Sequence, residues 1–270
     1  MKEKLSEFIR NKGLTHFILS VFVVFVMVAA FLRADFFAVF LCLLTLLLFN
    51  IPLLAKKIFR VSLSKELEVI ILLFIFAAEI LGELGSFYTH ISWWDTMLHT
   101  INGFLMAAIG FALIDILNNS PKFHISLSPM FVVVVAFCFS MTIGVLWEFF
   151  EFGADMLVRT DMQKDRIISE IASVTFDPDG LNNVVKVDGI TQTVLMSNGE
   201  TVCVIDGGYL DVGIIDTMKD LIVNCIGAVV FSIIGYFYIV GRNKGKFASK
   251  FIPQYESKAE NTGAEENNTV

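Results

Sequence analysis

Asp216-Thr217-Met218-Lys219-Asp220 begins the stretch DTMKDLIVNCIGAVVFSIIGYFYIV, residues 216–240, and the reading of this stretch decides the fold. From 221 to 240 it holds no charged side chain, and about 20 mainly apolar residues is the length of a helix that spans a bilayer. The phrase occurs a second time, as Asp95-Thr96-Met97, again ahead of an apolar run, residues 97–117. Each copy sets a second polar group one turn further on, His99 after Asp95 and Asp220 after Asp216. Ionisable groups at such a helix are costly unless they are paired, solvated or used.

Four more runs have the same character: residues 14–32, 36–54, 67–85 and 130–150. With 56% hydrophobic residues, 27 phenylalanines in 270 residues and a mean hydropathy of +0.71, the composition belongs to polytopic membrane proteins rather than soluble domains. The expected fold is all-α, a six-transmembrane helix bundle. The first run follows Lys2, Lys4, Arg10 and Lys12 but is longer than a secretory signal core, so it reads as a retained span. Arg33-Ala34-Asp35 then leaves room only for a tight hairpin between the first two helices.

Lysine and arginine cluster at the N-terminus, in the second loop (Lys56, Lys57, Arg60, Lys65) and after the last run (Arg242, Lys244, Lys246, Lys250, Lys258). By the positive-inside rule both termini are cytoplasmic, with the spans in a plasma membrane. The long fifth loop then lies outside. Residues 151–219 hold twelve acidic and five basic residues, so the chain's net charge of −7 resides there. An acidic outer face attracts cations, and no nucleic-acid partner is expected; the bilayer is the partner. Within this loop, residues 184–187, 190–196 and 201–205 are rich in β-branched side chains and are separated by Asp188-Gly189 and Ser197-Asn198-Gly199. They predict a three-strand meander. The domain reading is a membrane domain over 1–240, interrupted by an extracytoplasmic β-rich insertion over 156–215 between helices five and six, with a disordered cytoplasmic tail over 241–270. Cys42, Cys138, Cys203 and Cys225 form no metal-pair spacing.

With that topology the polar residues of helices three to six fall at one outer level. Glu79 and Glu83 end the third helix; Asp95, His99 and Asn102 begin the fourth; Glu148 and Glu151 end the fifth; Asp216, Asp220 and Asn224 begin the sixth. Spacings of three and four put each set on one helix face, and facing one another the stripes make a hydrophilic pocket. Trp93, Trp94 and Trp147 mark the same level as interfacial. Asp95 and Asp216 also fit helix caps.

The second helical hairpin repeats the first: Glu79, Glu83, Asp95-Thr96-Met97, His99, Asn102, Gly103 against Glu148, Glu151, Asp216-Thr217-Met218, Asp220, Asn224, Gly227. At these residues the chain resembles the YjdF-like family of bacterial polytopic proteins and, more distantly, the VanZ-like family associated with glycopeptide resistance. Trp94-Asp95, His99 and Gly103, Trp147-Glu148 with Glu151, and the series Asp216, Asp220, Asn224, Gly227 carry the likeness, which implies a fold and a location more than a reaction.

Carboxylates with one histidine are hard ligands suited to Mg²⁺, Mn²⁺ or Ca²⁺. The candidate ligands are Asp95, His99, Glu148, Glu151, Asp216 and Asp220, with Glu83, Asn102 and Asn224 in support. For a membrane-embedded enzyme acting on a lipid-linked substrate, Glu79, His99, Glu148 and Asp220 are the candidate catalytic set. The alternatives are a cation transporter or sensor, and a non-catalytic membrane protein whose outer loop binds a partner.

Overall fold

Helices α1 (Leu14–Leu32) and α2 (Phe36–Leu48) pack against each other across the three-residue link. Ala34 takes a φ of 57°, and Asp35 caps α2 by accepting the Ala38 N–H at 3.0 Å. The structure, a computed structural model, describes residues 13–59, 61–118, 127–241 and 254–255. The basic N-terminal segment, Lys122 and the basic residues after 241 lie outside the described residues. Of the tail expected to be disordered, Gly241 is described and Gln254–Tyr255 forms a strand, paired with Val61–Ser62; the rest lies outside the described residues.

The helices continue with α3 (Ile51–Phe59), strand β1 (Val61–Ser62) and α4 (Lys65–Phe76). Asn50 bridges the break between α2 and α3 by donating to the Leu46 carbonyl at 2.8 Å. Ser64 caps α4 by accepting the Leu67 N–H. At Ala77 the helix changes pitch: Ala77–Leu84 is a π-helix, closed where the Gly85 N–H meets the Ile80 carbonyl at 2.9 Å. The short α5 (Phe87–His90) follows, then the long helices α6 (Trp94–Asn118), α7 (Pro129–Val158) and α8 (Ile214–Val240).

Among the described residues, five helical stretches are long and apolar enough to cross a membrane: Leu14–Leu32, Phe36–Leu54, Trp94–Asp115, Pro129–Leu157 and Ile214–Val240. Six runs were expected. The run over 67–85 is divided between α4 and the π-helix, so no single regular helix of spanning length forms there.

The chain forms two compact units, Met1–Gly144 with Val223–Val270, and Val145–Ile222. In the first, one apolar cluster gathers Val23, Cys42, Phe49, Leu67, Leu72 and Leu105, joining α1, α2, α4 and α6. Another gathers Ala108, Phe111, Val132, Ala136, Ala228 and Phe231, joining α6, α7 and α8. Phe111 and Phe231 meet edge-on with ring centroids 5.8 Å apart.

The second unit holds the end of α7, the start of α8 and six short strands between them: β2 (Ile167–Ile168), β3 (Ile171–Ser173), β4 (Val185–Val187), β5 (Gln192–Ser197), β6 (Glu200–Asp206) and β7 (Tyr209–Leu210). The expected strands exist, but the meander does not. β5 pairs with β6, while β4 pairs with β3 and β2 with β7, all antiparallel. Asn198 and Gly199, with φ of 52° and 84°, supply the tight turn that closes β5 on β6. Asp188-Gly189 closes no hairpin, because the residues after it are held elsewhere: the Ile190 N–H bonds the Ser169 carbonyl and the Thr191 carbonyl accepts from Gly207, both at 2.8 Å.

Candidate functional site

In the first unit, α6 and α8 meet at matching residues of the two repeated phrases. Asn102 donates from Nδ2 to Asn224 Oδ1 at 3.1 Å. A Cβ added to Gly103 would run into the Asn224 carbonyl oxygen, and one on Gly227 into the Thr100 carbonyl oxygen. Glycine at both positions therefore lets the two backbones touch, as small residues do where membrane helices cross. α7 joins the crossing through Ser140, whose hydroxyl donates to the Gly103 carbonyl at 2.8 Å. Gly144 leaves space for the Asn224 amide, since a Cβ there would lie 2.8 Å from Asn224 Nδ2. Asn224 is fully buried.

One turn before Asn102, His99 is buried, with Nε2 3.4 Å from Asp95 Oδ1. Asp95 is half-buried. Glu79 and Glu83, expected to share one helix face, lie in the π-helix. Glu79 is half-buried and Glu83 exposed.

In the second unit, burial is inverted relative to a water-soluble helix. Glu148 and Glu151 on α7 are 4% and 8% exposed, while Phe149, Phe150 and Phe152 beside them are 66%, 57% and 57% exposed. On α8, Asp216 and Asp220 are buried at 5% and 2%, whereas Met218 and Ile222 are half exposed. Acids turned inward and aromatic residues turned outward is the pattern of a helix whose outer medium is lipid. Glu151 accepts from Trp147 Nε1 at 2.8 Å, which ties one of the interfacial tryptophans to the acidic stripe.

Asp216 is held from several directions. Its Oδ2 accepts the Lys164 N–H at 3.0 Å, the Arg166 guanidinium lies 3.7 Å from Oδ1, and Lys219 Nζ lies 3.8 Å from the same oxygen. Lys219 Nζ is also 3.6 Å from Asp220 Oδ1. The β2–β7 pairing delivers Arg166 to this place by aligning Ile167 with Leu210. Asp211 completes the anchorage: its carboxylate accepts the N–H groups of Arg166 at 2.6 Å and Ile215 at 2.9 Å. Desolvation would raise the Asp211 pKa, but the N–H bonds from Arg166, Ile215 and Gly213 outweigh it and hold the carboxyl below its ordinary range. Asp155 has a similar role at the end of α7, accepting from Thr160, Met162 and Gln163.

Sequence reading thus located the acids but missed their cations. Lys219 was visible inside the Asp-Thr-Met-Lys-Asp phrase, three residues after one aspartate and adjacent to the other. Arg166, fifty residues before Asp216, carried no local signal, and neither did the Lys164 backbone N–H that Asp216 accepts.

The chain matches a family described as "Predicted membrane protein (DUF2238)" over residues 14–177. A protein of Thermotoga maritima, named only as an uncharacterized protein, is 24% identical over 136 residues, which is 50% of this chain and 68% of the relative. No solved structure matches. The family match ends before α8, so the VanZ-like resemblance, carried on Asp216, Asp220, Asn224 and Gly227, gains no support from it. The match covers more than half of the chain, and the chain belongs to this family of membrane proteins.

Proposed function

We propose that the chain is a multi-pass plasma-membrane protein, its termini cytoplasmic, that binds a divalent cation in an outward-facing acidic pocket and acts there on a membrane-borne, lipid-linked substrate. In this reading residues 67–85 form a sixth span despite the π-helix, and 156–215 form the extracytoplasmic insertion. His99, Glu148 and Asp220 are the cation ligands, with Glu151, Asp95 and Asp216 around them, and Glu79 is the general base. The observation that carries the reading is the inverted burial on α7 and α8, where Glu148, Glu151 and Asp220 are buried beside exposed phenylalanines and isoleucines. Lipid-facing aromatic residues account for the membrane setting, and buried carboxylates need cations or protons to be tolerated.

Mg²⁺, Mn²⁺ or Ca²⁺ suits the donor set. Such an ion supplies Lewis-acid polarisation of a phosphoryl or carbonyl oxygen. The test is release of phosphate or headgroup from a panel of lipid-linked phosphates with and without Mn²⁺, using Glu148→Ala as the blank. Turnover that needs both Mn²⁺ and Glu148 supports the enzyme reading. Mn²⁺ binding without turnover anywhere in the panel reduces it to a cation-binding protein. Transport is disfavoured because the α6–α8 crossing continues inward from Asn102 and Asn224 into the apolar cluster of Ala108, Phe111, Ala228 and Phe231.

A further inference from the structure

We infer that the β2–β7 ribbon of the second unit does not stand in water but lies in the headgroup layer of the bilayer that α7 and α8 cross, its exposed face toward lipid. β2 and β7 pair antiparallel with Ile167 directly opposite Leu210, so these two side chains share one face of the ribbon, and Ile168 and Tyr209 share the other. Ile168 and Tyr209 are half-buried, whereas Ile167 and Leu210 are 56% and 37% exposed. The outward face is thus apolar, as it is on α7 and α8. A two-stranded ribbon is marginal in water by itself, and each of these strands is only two residues long.

The ribbon is fixed to the start of α8. The Asp211 carboxylate accepts the N–H groups of Arg166 and Ile215, and the Asp211 N–H donates to the Arg166 carbonyl at 3.0 Å. Just ahead of β2, the Lys164 N–H meets Asp216, and Gln163 Nε2 donates to the Thr217 hydroxyl at 2.5 Å. The segment that leads into β2 therefore lies beside the first turn of α8. At 1.5 Å per residue the 27 residues of α8 extend about 40 Å. That is the thickness of a bilayer with its headgroup layers, against about 30 Å for the apolar core alone. The first turn of α8, and the ribbon with it, falls in a headgroup layer.

The exposed apolar surface also runs without a break from the ribbon into the span: Leu210, Val212, Ile214 and Ile215 are exposed, and so is Met218 one turn on. Val212 is 77% exposed at a φ of 55°, a strained conformation for a β-branched residue that the Asp211 bonds to Gly213 and Ile215 hold in place. Charge selects the kind of surface. Between 155 and 168, Asp155, Asp161 and Asp165 are matched by Arg159, Lys164 and Arg166, a balance that suits zwitterionic headgroups.

The experiment is spin labelling of the full-length protein, its native cysteines replaced by alanine, in phosphatidylcholine nanodiscs. Labels at Leu210→Cys and Val212→Cys are compared with Phe150→Cys on the exposed side of α7 and Glu200→Cys at the tip of the β5–β6 hairpin. Each is read through relaxation by oxygen, which enters lipid, and by a water-soluble nickel chelate. At 210 and 212 the chelate is expected to act several-fold less than at 200, with oxygen access close to that at 150. Chelate access equal to that at 200 overturns the inference. Low access to both reagents, with spin–spin broadening between copies, also overturns it and gives the face to a second copy of the chain. A label at 150 that meets the chelate as freely as one at 200 removes the membrane setting of α7, and the inference falls with it. If the cysteine-free background fails to fold, wild type is irradiated with phosphatidylcholine that carries a diazirine just below the headgroup. Adducts on Ile167, Leu210 or Val212 then support the inference, and adducts confined to the helices overturn it.

Discussion

Asn102 and Asn224 share one hydrogen bond between α6 and α8, 3.1 Å from amide nitrogen to amide oxygen, and the backbones beside them touch at Gly103 and Gly227. The close approach and the amide pair depend on each other. Without the glycines the side chains could not meet, and without its partner either amide would be a polar group buried in an apolar bundle with that hydrogen bond unmade.

The energetic weights differ, which gives a rank order. An interhelical side-chain hydrogen bond in a membrane protein contributes about 0.6 kcal/mol on average, so Asn102→Ala should lower stability modestly. Gly227→Val sets a branched side chain against a backbone oxygen and is expected to cost about 3 kcal/mol or more. Unfolding of the purified protein in mixed micelles checks the order; equal losses would remove the crossing from its central place.

Trp147 and Trp94 should report different media. Trp147 is 45% exposed on the apolar side of α7, while Trp94 is 8% exposed and stacked edge-on against Phe87 at 4.8 Å. In single-tryptophan variants, brominated lipids are expected to quench Trp147 strongly and Trp94 weakly. Quenching of Trp147 by aqueous iodide instead would place this segment of α7 in water.

The turn after α7 depends on one carboxylate. Asp155 accepts from the Thr160 hydroxyl and from the Met162 and Gln163 N–H groups. Losing an acceptor of several bonds costs about 1–3 kcal/mol. Asp155→Ala is therefore expected to open the segment and expose Arg159, Lys164 and Arg166 to trypsin, with a several-fold faster cut; an unchanged digest would contradict the anchoring role.

Asp211 and Asp165 should respond to pH in opposite senses. The N–H bonds of Arg166, Ile215 and Gly213 hold the Asp211 pKa below its unfolded value despite desolvation. Its contribution is therefore present above the ordinary aspartate pKa of about 3.9 and is lost as pH falls through the folded value. Partial desolvation first, then the nearby Asp161, Asp211 and Asp155 carboxylates, raise the Asp165 pKa above its unfolded value, so its charge is less stable in the fold than in the unfolded chain. Asp211→Asn should accordingly destabilise the second unit at pH 7, and Asp165→Asn should stabilise it. Hydrogen exchange of the Arg166 and Ile215 amides reads both.

The helices were legible because their apolar runs are long enough to span a bilayer. The repeated Asp-Thr-Met phrase set Asn102 and Asn224, with Gly103 and Gly227, at corresponding places of two helices, but the Asn102–Asn224 hydrogen bond and the contact of Gly227 with α6 were not read from it. The inward turn of Glu148, Glu151 and Asp220 followed from their spacing. The π-helix was not legible: Ala77–Leu84 has an ordinary helical composition. Strand pairing was missed for a different reason. β2, β3, β4 and β7 are only two or three residues long, so their partners are set by hydrogen bonds such as Ile190 to Ser169 rather than by any local alternation.

The most direct measurement of the central proposal is calorimetric titration of Mn²⁺ into the purified protein, compared with Glu148→Ala and Asp220→Ala. Cation binding by wild type, and its loss in both variants without loss of folding, is the expected result. Identical heats and identical thermal shifts in all three proteins would contradict a cation site built on these carboxylates.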